Sequence, residues 1–239
     1  MELFSEALAG LSNYLAEAEA RNSLRRYDYN LFSAWPDQSS LVLLEDTAVE
    51  LGGAGGSLLM ILWTGQKGLI RPGQISLIGP DLSETGAAKL PLTQVVAVKG
   101  RYADEYETYQ DLQDVVFGTR LKGVATRFWP DRQKVWCRVS KEALREGFNL
   151  FSYGCTLIKK LEALPLVEGA EVVFATEMPH EKTLLTPVAD KVLEIMEVLL
   201  KLYDQINFDC ESCEYKEICA EVAGLKEIHR RLHEEREQI

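Results

Sequence analysis

The chain has 239 residues, 46% of them hydrophobic and 26% charged, an ordinary globular composition with room for one large domain or two modest ones. Its net charge of −11, from 37 acidic against 26 basic side chains, leaves little of the cation–phosphate attraction that drives nucleic-acid affinity, so nucleic acid is not the expected partner. The longest apolar run, residues 58–63, is far short of the ~20 residues that cross a bilayer, so no membrane partner is expected.

The amino terminus, Met1-Glu2-Leu3-Phe4-Ser5-Glu6, has no basic region and leads into Leu8, Leu11, Tyr14 and Leu15 at helical spacing. It reads as a helix over residues 4–22 rather than a signal peptide. The expected location is therefore the cytoplasm, where five cysteines, an odd number, serve as metal ligands or buried thiols rather than as a disulfide framework. Arg25-Arg26-Tyr27-Asp28-Tyr29 reads as a polar connector. Leu41-Val42-Leu43-Leu44 opens a strand region that residues 47–51 continue, and the glycine tract 52–56 reads as a flexible hairpin tip before a strand over 57–63. That tract lacks the Lys-Ser/Thr of a phosphate loop and does not open onto a helix.

Ile75-Ser76-Leu77-Ile78 and Val95-Val96-Ala97-Val98 read as short strands separated by a Gly79-Pro80-Asp81 turn and a polar loop. A helix is expected over 104–117, then strands over 123–129 and 134–139 joined by Pro130-Asp131-Arg132-Gln133. Ser140 caps a further helix with Glu142 in its first turn, and after Gly147 a helix restarts over 148–164. Residues 171–176 form a β-branched strand, Thr186-Pro187 starts a helix, and a last helix carries Ile218, Val222, Leu225, Ile228 and Leu232 on one stripe. The expected class is α+β, a mixed sheet flanked by helices with an all-helical C-terminal part carrying the cysteine motif. The expected organisation is an N-terminal helix and connector (1–30), an α+β domain (31–180) and a helical segment with the cysteines (181–239).

Three of the cysteines, Cys210, Cys213 and Cys219, fall in one short stretch. A pair two residues apart lets a tight turn aim both thiols at one point, and a third can close over it, which is how chains hold a metal or an iron–sulfur cluster. The surrounding Asp, Glu, Ser and Lys are not core composition. His229 and His233, four apart on one helical face, complete a zinc-finger spacing with Cys210 and Cys213, so structural zinc stands as an alternative to a cubane. A cubane takes a fourth ligand, and here His229, Cys137, Cys155, an external group or no fourth ligand at all is open. A second cluster is Arg127, Arg132, Trp136 and Arg138, basic side chains alternating with tryptophan on adjacent strands of an acidic protein. That composition can stack a base and hold phosphates, or anchor a hairpin on its neighbours. No serine–histidine–aspartate set or nucleophile elbow is visible, and His180 is read as a solvated loop residue.

Leu90-Pro91-Leu92 through Val98-Lys99-Gly100-Arg101, the block from Trp136-Cys137-Arg138-Val139-Ser140-Lys141-Glu142-Ala143 to Gly147-Phe148, then Tyr153-Gly154 and Val172-Val173-Phe174-Ala175-Thr176-Glu177 resemble the middle region of acetyl-CoA synthase, the β subunit of the carbon monoxide dehydrogenase/acetyl-CoA synthase complex. In that family this region is followed by the cysteines of the A-cluster, a [4Fe–4S] cubane bridged to a dinickel site where carbon monoxide, a methyl group and CoA are joined. The resemblance implies that Cys210, Cys213 and Cys219 match the first three cubane cysteines with a shorter second gap, and that His229 takes the fourth position. The family's nickel-binding domain and most of its amino-terminal domain are not in the sequence, so the expectation is a truncated, free-standing relative not active alone. It would be an accessory, ligand-binding or electron-transfer component of one-carbon and acetyl-CoA metabolism, partnered by a dehydrogenase/synthase-type or corrinoid subunit. The family's association of this region with CoA falls here on Trp136, Arg138, Arg127 and Arg132.

Overall fold

The computed structural model describes residues 3–53, 56–177 and 185–205, apart from the side chains of 131 and 200–205. The chain divides into two units, Met1–Ile195 and Met196–Ile239, and the first holds every strand among the described residues. The described part is α+β, as expected from the mixture of strand and helix periods.

Nine strands form two sheets. The first has the order β1 (Leu24–Asp28), β4 (Gln74–Ile78), β9 (Val167–Ala175), β6 (Leu92–Gly100) and β3 (Ser57–Thr64). Its pairings alternate between antiparallel (β1 with β4, β9 with β6) and parallel (β4 with β9, β6 with β3). The inner strands read as nearly unbroken apolar runs because helices cover both faces. Alternation along β1 shows the two layers. Arg26 pairs with Glu19 of α1 (Ser5–Ala20) at 2.7 Å, whereas Tyr27, pointing the other way, packs on Phe151 of α4 (Leu150–Leu161). Gly154 lets α4 approach closely, since a Cβ there would sit 2.9 Å from Ile75 of β4.

The second sheet has the order β5 (Lys89–Leu90), β2 (Thr47–Gly52), β8 (Lys134–Ser140) and β7 (Val124–Trp129), with β5 parallel to β2 and the rest antiparallel. Strict alternation buries Val49, Leu51, Val135, Cys137 and Val139 on one face and leaves the intervening side chains on the other. Ser57 stitches the sheets together, its Oγ accepting from the Val135 N–H at 2.7 Å, while the Leu59 N–H donates to the Gln133 carbonyl at 2.7 Å.

The expected Ser140 cap is present, and Asp104 and Asn149 cap two further helices. Asp104 caps α2 (Glu105–Gly118) by accepting from the Tyr106 and Glu107 N–H groups at 2.8 Å, and Ser140 caps α3 (Lys141–Arg145) through the Ala143 N–H at 3.0 Å. Asn149 and Ser152 form a reciprocal capping box that starts α4 later than Phe148. A fifth helix, α5, spans Thr186–Gln205.

Four expectations are corrected. Residues 25–29 are not a connector, since most of them form β1, an edge strand whose arginines are paired rather than solvated. Arg25 makes a two-pronged contact with Glu84 at 2.6 and 2.8 Å. Residues 40–43 carry no regular structure, and Leu41 and Leu44 are exposed, so hydrophobicity without a pairing partner made no strand. The hairpin expected across the glycine tract does not form, because β2 and β3 lie in different sheets; residues 54–55 of the tract lie outside the described residues. The polar loop before β6 contains β5, which pairs with β2. Among the described residues no helix is long and apolar enough to cross a membrane.

Candidate ligand-binding face

The face of the second sheet turned away from the core carries the candidate site. β7 and β8 are joined by a 3-10 turn at Pro130–Arg132, after which Gln133 takes the left-handed conformation (φ 48°) that reverses the chain. Its buried side-chain amide, oriented by its partners, donates to the Ala189 carbonyl and accepts from the Leu193 N–H, both at 3.1 Å. The hairpin is thus clamped to α5 at a donor and acceptor one helical turn apart.

Register sets the face. Trp136 lies directly between Arg127 of β7 and Gly52 of β2, and Arg138 lies between Ala125 and Glu50. Lys134, opposite Trp129, continues the same face. Trp136 is half-buried because its indole rests on glycine backbone. A Cβ on Gly53 would come within 2.8 Å of Trp136 Cδ1, and Gly53 itself has φ 63°. From the other side the Arg138 guanidinium carbon lies 4.8 Å from the Trp136 ring centroid, a cation–π contact. Arg138 Nε donates to Glu50 Oε1 at 2.8 Å, and Lys89 Nζ stands 3.4 Å from Glu50 Oε2. The Arg138 hydrogen bond, with help from Lys89, holds the Glu50 carboxyl below its ordinary range, so it is ionised at neutral pH.

The remaining cations point outward. The Arg127 and Lys134 side chains are exposed and make no hydrogen bond or ion pair among the described residues, and of the Arg138 guanidinium N–H groups only Nε has such a partner. Arg132 is exposed at the hairpin turn, at the end of the face away from Arg138. Trp129 is 39% exposed beside them. The arrangement is an aromatic platform rimmed by the outward cationic groups of Arg127, Lys134 and Arg138, suited chemically to stacking a planar ring and binding phosphate or carboxylate oxygens. The structure brings Arg127, Trp136 and Arg138 together. Sequence reasoning missed Lys134, Glu50, Lys89 and Gly53, although alternation within the hairpin carried the signal for Lys134.

The metal expectations stand differently. Cys210, Cys213, Cys219, His229 and His233, and His180, lie outside the described residues. Cys137 and Cys155, considered for the fourth position, are buried thiols. Cys137 faces the core, 1% exposed, and burial pushes it up to about 12. Cys155 lies against the Phe32 and Tyr29 carbonyls at 3.3 and 3.5 Å and is also raised by burial. Burial disfavours the thiolate form of both. Among the described residues no group of three or more His, Cys, Asp or Glu side chains can hold a metal ion.

Fold and face together define an α+β domain with an open aromatic and cationic sheet surface. The chain belongs to the CO dehydrogenase/acetyl-CoA synthase complex beta subunit family, whose model matches residues 39–180, more than half of the chain and all of strands β2 to β8 and the site they build. It is similar to the carbon monoxide dehydrogenase/acetyl-CoA synthase subunit alpha of Moorella thermoacetica, 28% identical over 174 residues, which covers 70% of this chain and 23% of that protein. It is also similar to the acetyl-CoA decarbonylase/synthase complex subunit beta 2 of Methanosarcina acetivorans, 27% identical over 174 residues, covering 69% of this chain and 34% of that one. The chain therefore spans about a quarter to a third of the length of the curated relatives it matches.

Proposed function

We propose that the protein is a CoA-binding component of one-carbon and acetyl-CoA metabolism, holding its ligand on the Trp136 face and carrying an iron–sulfur cluster on its C-terminal cysteines. The observation that carries the ligand reading is Trp136 seated on Gly53 and bordered by Arg127, Lys134 and Arg138, in an acidic chain whose relatives are named as acetyl-CoA synthase subunits. CoA supplies what such a surface recognises, an adenine ring to stack and several phosphates to pair. The chain's own residues would bind and orient. Trp136 takes the ring, while Arg127, Lys134 and the free edge of Arg138 meet the phosphates, with Arg132 near the turn.

The cluster reading rests on the sequence. Cys210, Cys213 and Cys219 would supply three thiolates and His229 the fourth ligand of a [4Fe–4S] centre, which when bound supplies one-electron chemistry. The partner on this reading is a dehydrogenase/synthase-type or corrinoid subunit.

Titration of CoA against tryptophan fluorescence tests the ligand. Wild type is expected to show saturable quenching and Arg138→Ala binding weaker by about 10- to 100-fold, the worth of a hydrogen bond to a charged group. No quenching in either protein removes the CoA reading. Anaerobic purification tests the metal: iron and sulfide with broad absorption near ~400 nm support the cluster, and colourless protein with one zinc replaces it by the structural zinc site of Cys210, Cys213, His229 and His233. Unchanged metal content in Cys210→Ser overturns both.

A further inference from the structure

A face that binds a polyanion has no evident use for a carboxylate, yet Glu50 sits within it, directly opposite Arg138 in the β2–β8 register. Its side chain is only 16% exposed and is held at both oxygens, by Arg138 Nε at 2.8 Å and Lys89 Nζ at 3.4 Å. Arginine left to itself on a strand surface samples many rotamers and extends its head into water. Here one N–H is tied to Glu50 while the guanidinium lies 4.8 Å over Trp136, which leaves the other N–H groups without a partner among the described residues. Lys89 fixes the carboxylate from the other side, so the order runs Lys89, Glu50, Arg138, Trp136.

We propose that Glu50 is the positioning residue of this face: it holds Arg138 on the Trp136 ring with its outer N–H edge free to meet a phosphate. The proposal rests on the reading of the face as a CoA site. Glu50 touches no ligand itself and acts by lowering the ordering cost of Arg138 when ligand arrives. It also offsets the mutual repulsion of Lys89 and Arg138.

The two roles open to Glu50 differ in sign. As a bare negative charge it opposes an anionic ligand, and its removal strengthens binding. As a positioning residue its removal weakens binding, by about two- to tenfold for one rotamer-rich side chain that must then be ordered. The experiment measures CoA affinity for wild type, Glu50→Ala, Glu50→Gln, Arg138→Ala and the double variant Glu50→Ala/Arg138→Ala. Weaker binding in Glu50→Ala, recovered in Glu50→Gln because the amide oxygen still accepts from Nε, supports the proposal. So does the absence of any further weakening when Glu50→Ala is added to Arg138→Ala. Unchanged or tighter binding in Glu50→Ala overturns it.

A second readout needs no ligand. Acrylamide quenching of the Trp136 indole, taken as the difference from Trp136→Phe in each background, is expected to rise in Glu50→Ala and Arg138→Ala and to stay near wild type in Glu50→Gln. If wild type binds no CoA, the CoA reading fails and this quenching alone decides whether Glu50 positions Arg138. Quenching in Glu50→Ala equal to wild type overturns the positioning role. Circular dichroism of each variant shows that it is folded, and should Glu50→Ala not fold, Glu50→Ser takes its place with the same expected outcomes.

Discussion

Replacing Gly53 by alanine tests the seat of Trp136. The alanine has to take φ 63°, and its methyl would stand 2.8 Å from Trp136 Cδ1. Holding a non-glycine residue in the left-handed region costs about 1–3 kcal/mol. The contact adds to this only as far as the half-buried indole resists moving outward, so the two parts need separating. Gly68 separates them, having φ 86° with nothing within 4 Å of an added Cβ, so Gly68→Ala carries the backbone cost alone. Gly52 gives the other extreme, with φ 74° and an added Cβ 2.3 Å from the Val135 carbonyl oxygen, a backbone atom that moves only if β2 and β8 part. The expected order of destabilisation is Gly68→Ala, then Gly53→Ala, then Gly52→Ala. Each kcal/mol lowers the thermal midpoint by about 2–4 °C in a domain of this size. Denaturant unfolding followed by circular dichroism measures the order, and native-state tryptophan emission should change in Gly53→Ala but not in Gly68→Ala. Equal stability and emission in Gly53→Ala and Gly68→Ala would refute the indole–backbone contact.

Asp104→Ala removes the acceptor for two N–H groups at the start of α2 and is expected to cost about 1 kcal/mol, whereas Asp104→Asn, which still accepts, should recover most of it. A loss equal in both variants would show that charge rather than capping matters. Burial raises Cys137 from 9.0 and Tyr109 from 10.0, each to about 12, so the native state keeps protons that the unfolded chain releases. Their contribution to stability is therefore full below about pH 9 and is lost through the window from 9 to 12, each group contributing at most about 1.4 kcal/mol per pH unit. Cys137→Ala should flatten the lower part of that fall, read from denaturant midpoints across the window, and an unchanged slope would contradict the buried neutral thiol.

Local signals in the chain were read correctly where the physics is local. Ser140 announces its helix because a cap depends on a residue three positions away. The apolar, β-branched runs of β4, β6 and β9 announce strands. β1 was illegible because Leu24-Arg25-Arg26-Tyr27-Asp28 owes its strand to β4 and its charge balance to Glu19 and Glu84, the latter 59 positions away. The site divides in the same way. Arg127, Trp136 and Arg138 share one hairpin and one alternation, so their common face follows from spacing. Glu50 reaches Arg138 across 88 positions, and Gly53 meets Trp136 only because a crossover between sheets passes beneath it. Non-local pairing is what a pattern within a short window does not carry.

Isothermal titration of CoA into wild type and Trp136→Ala tests the central claim most directly. Stacking of a base on an aromatic side chain is worth about 1–3 kcal/mol, so the variant should bind roughly 5- to 100-fold more weakly while remaining folded. Equal affinity in the two proteins would contradict the assignment of the Trp136 face as the place where the ligand sits.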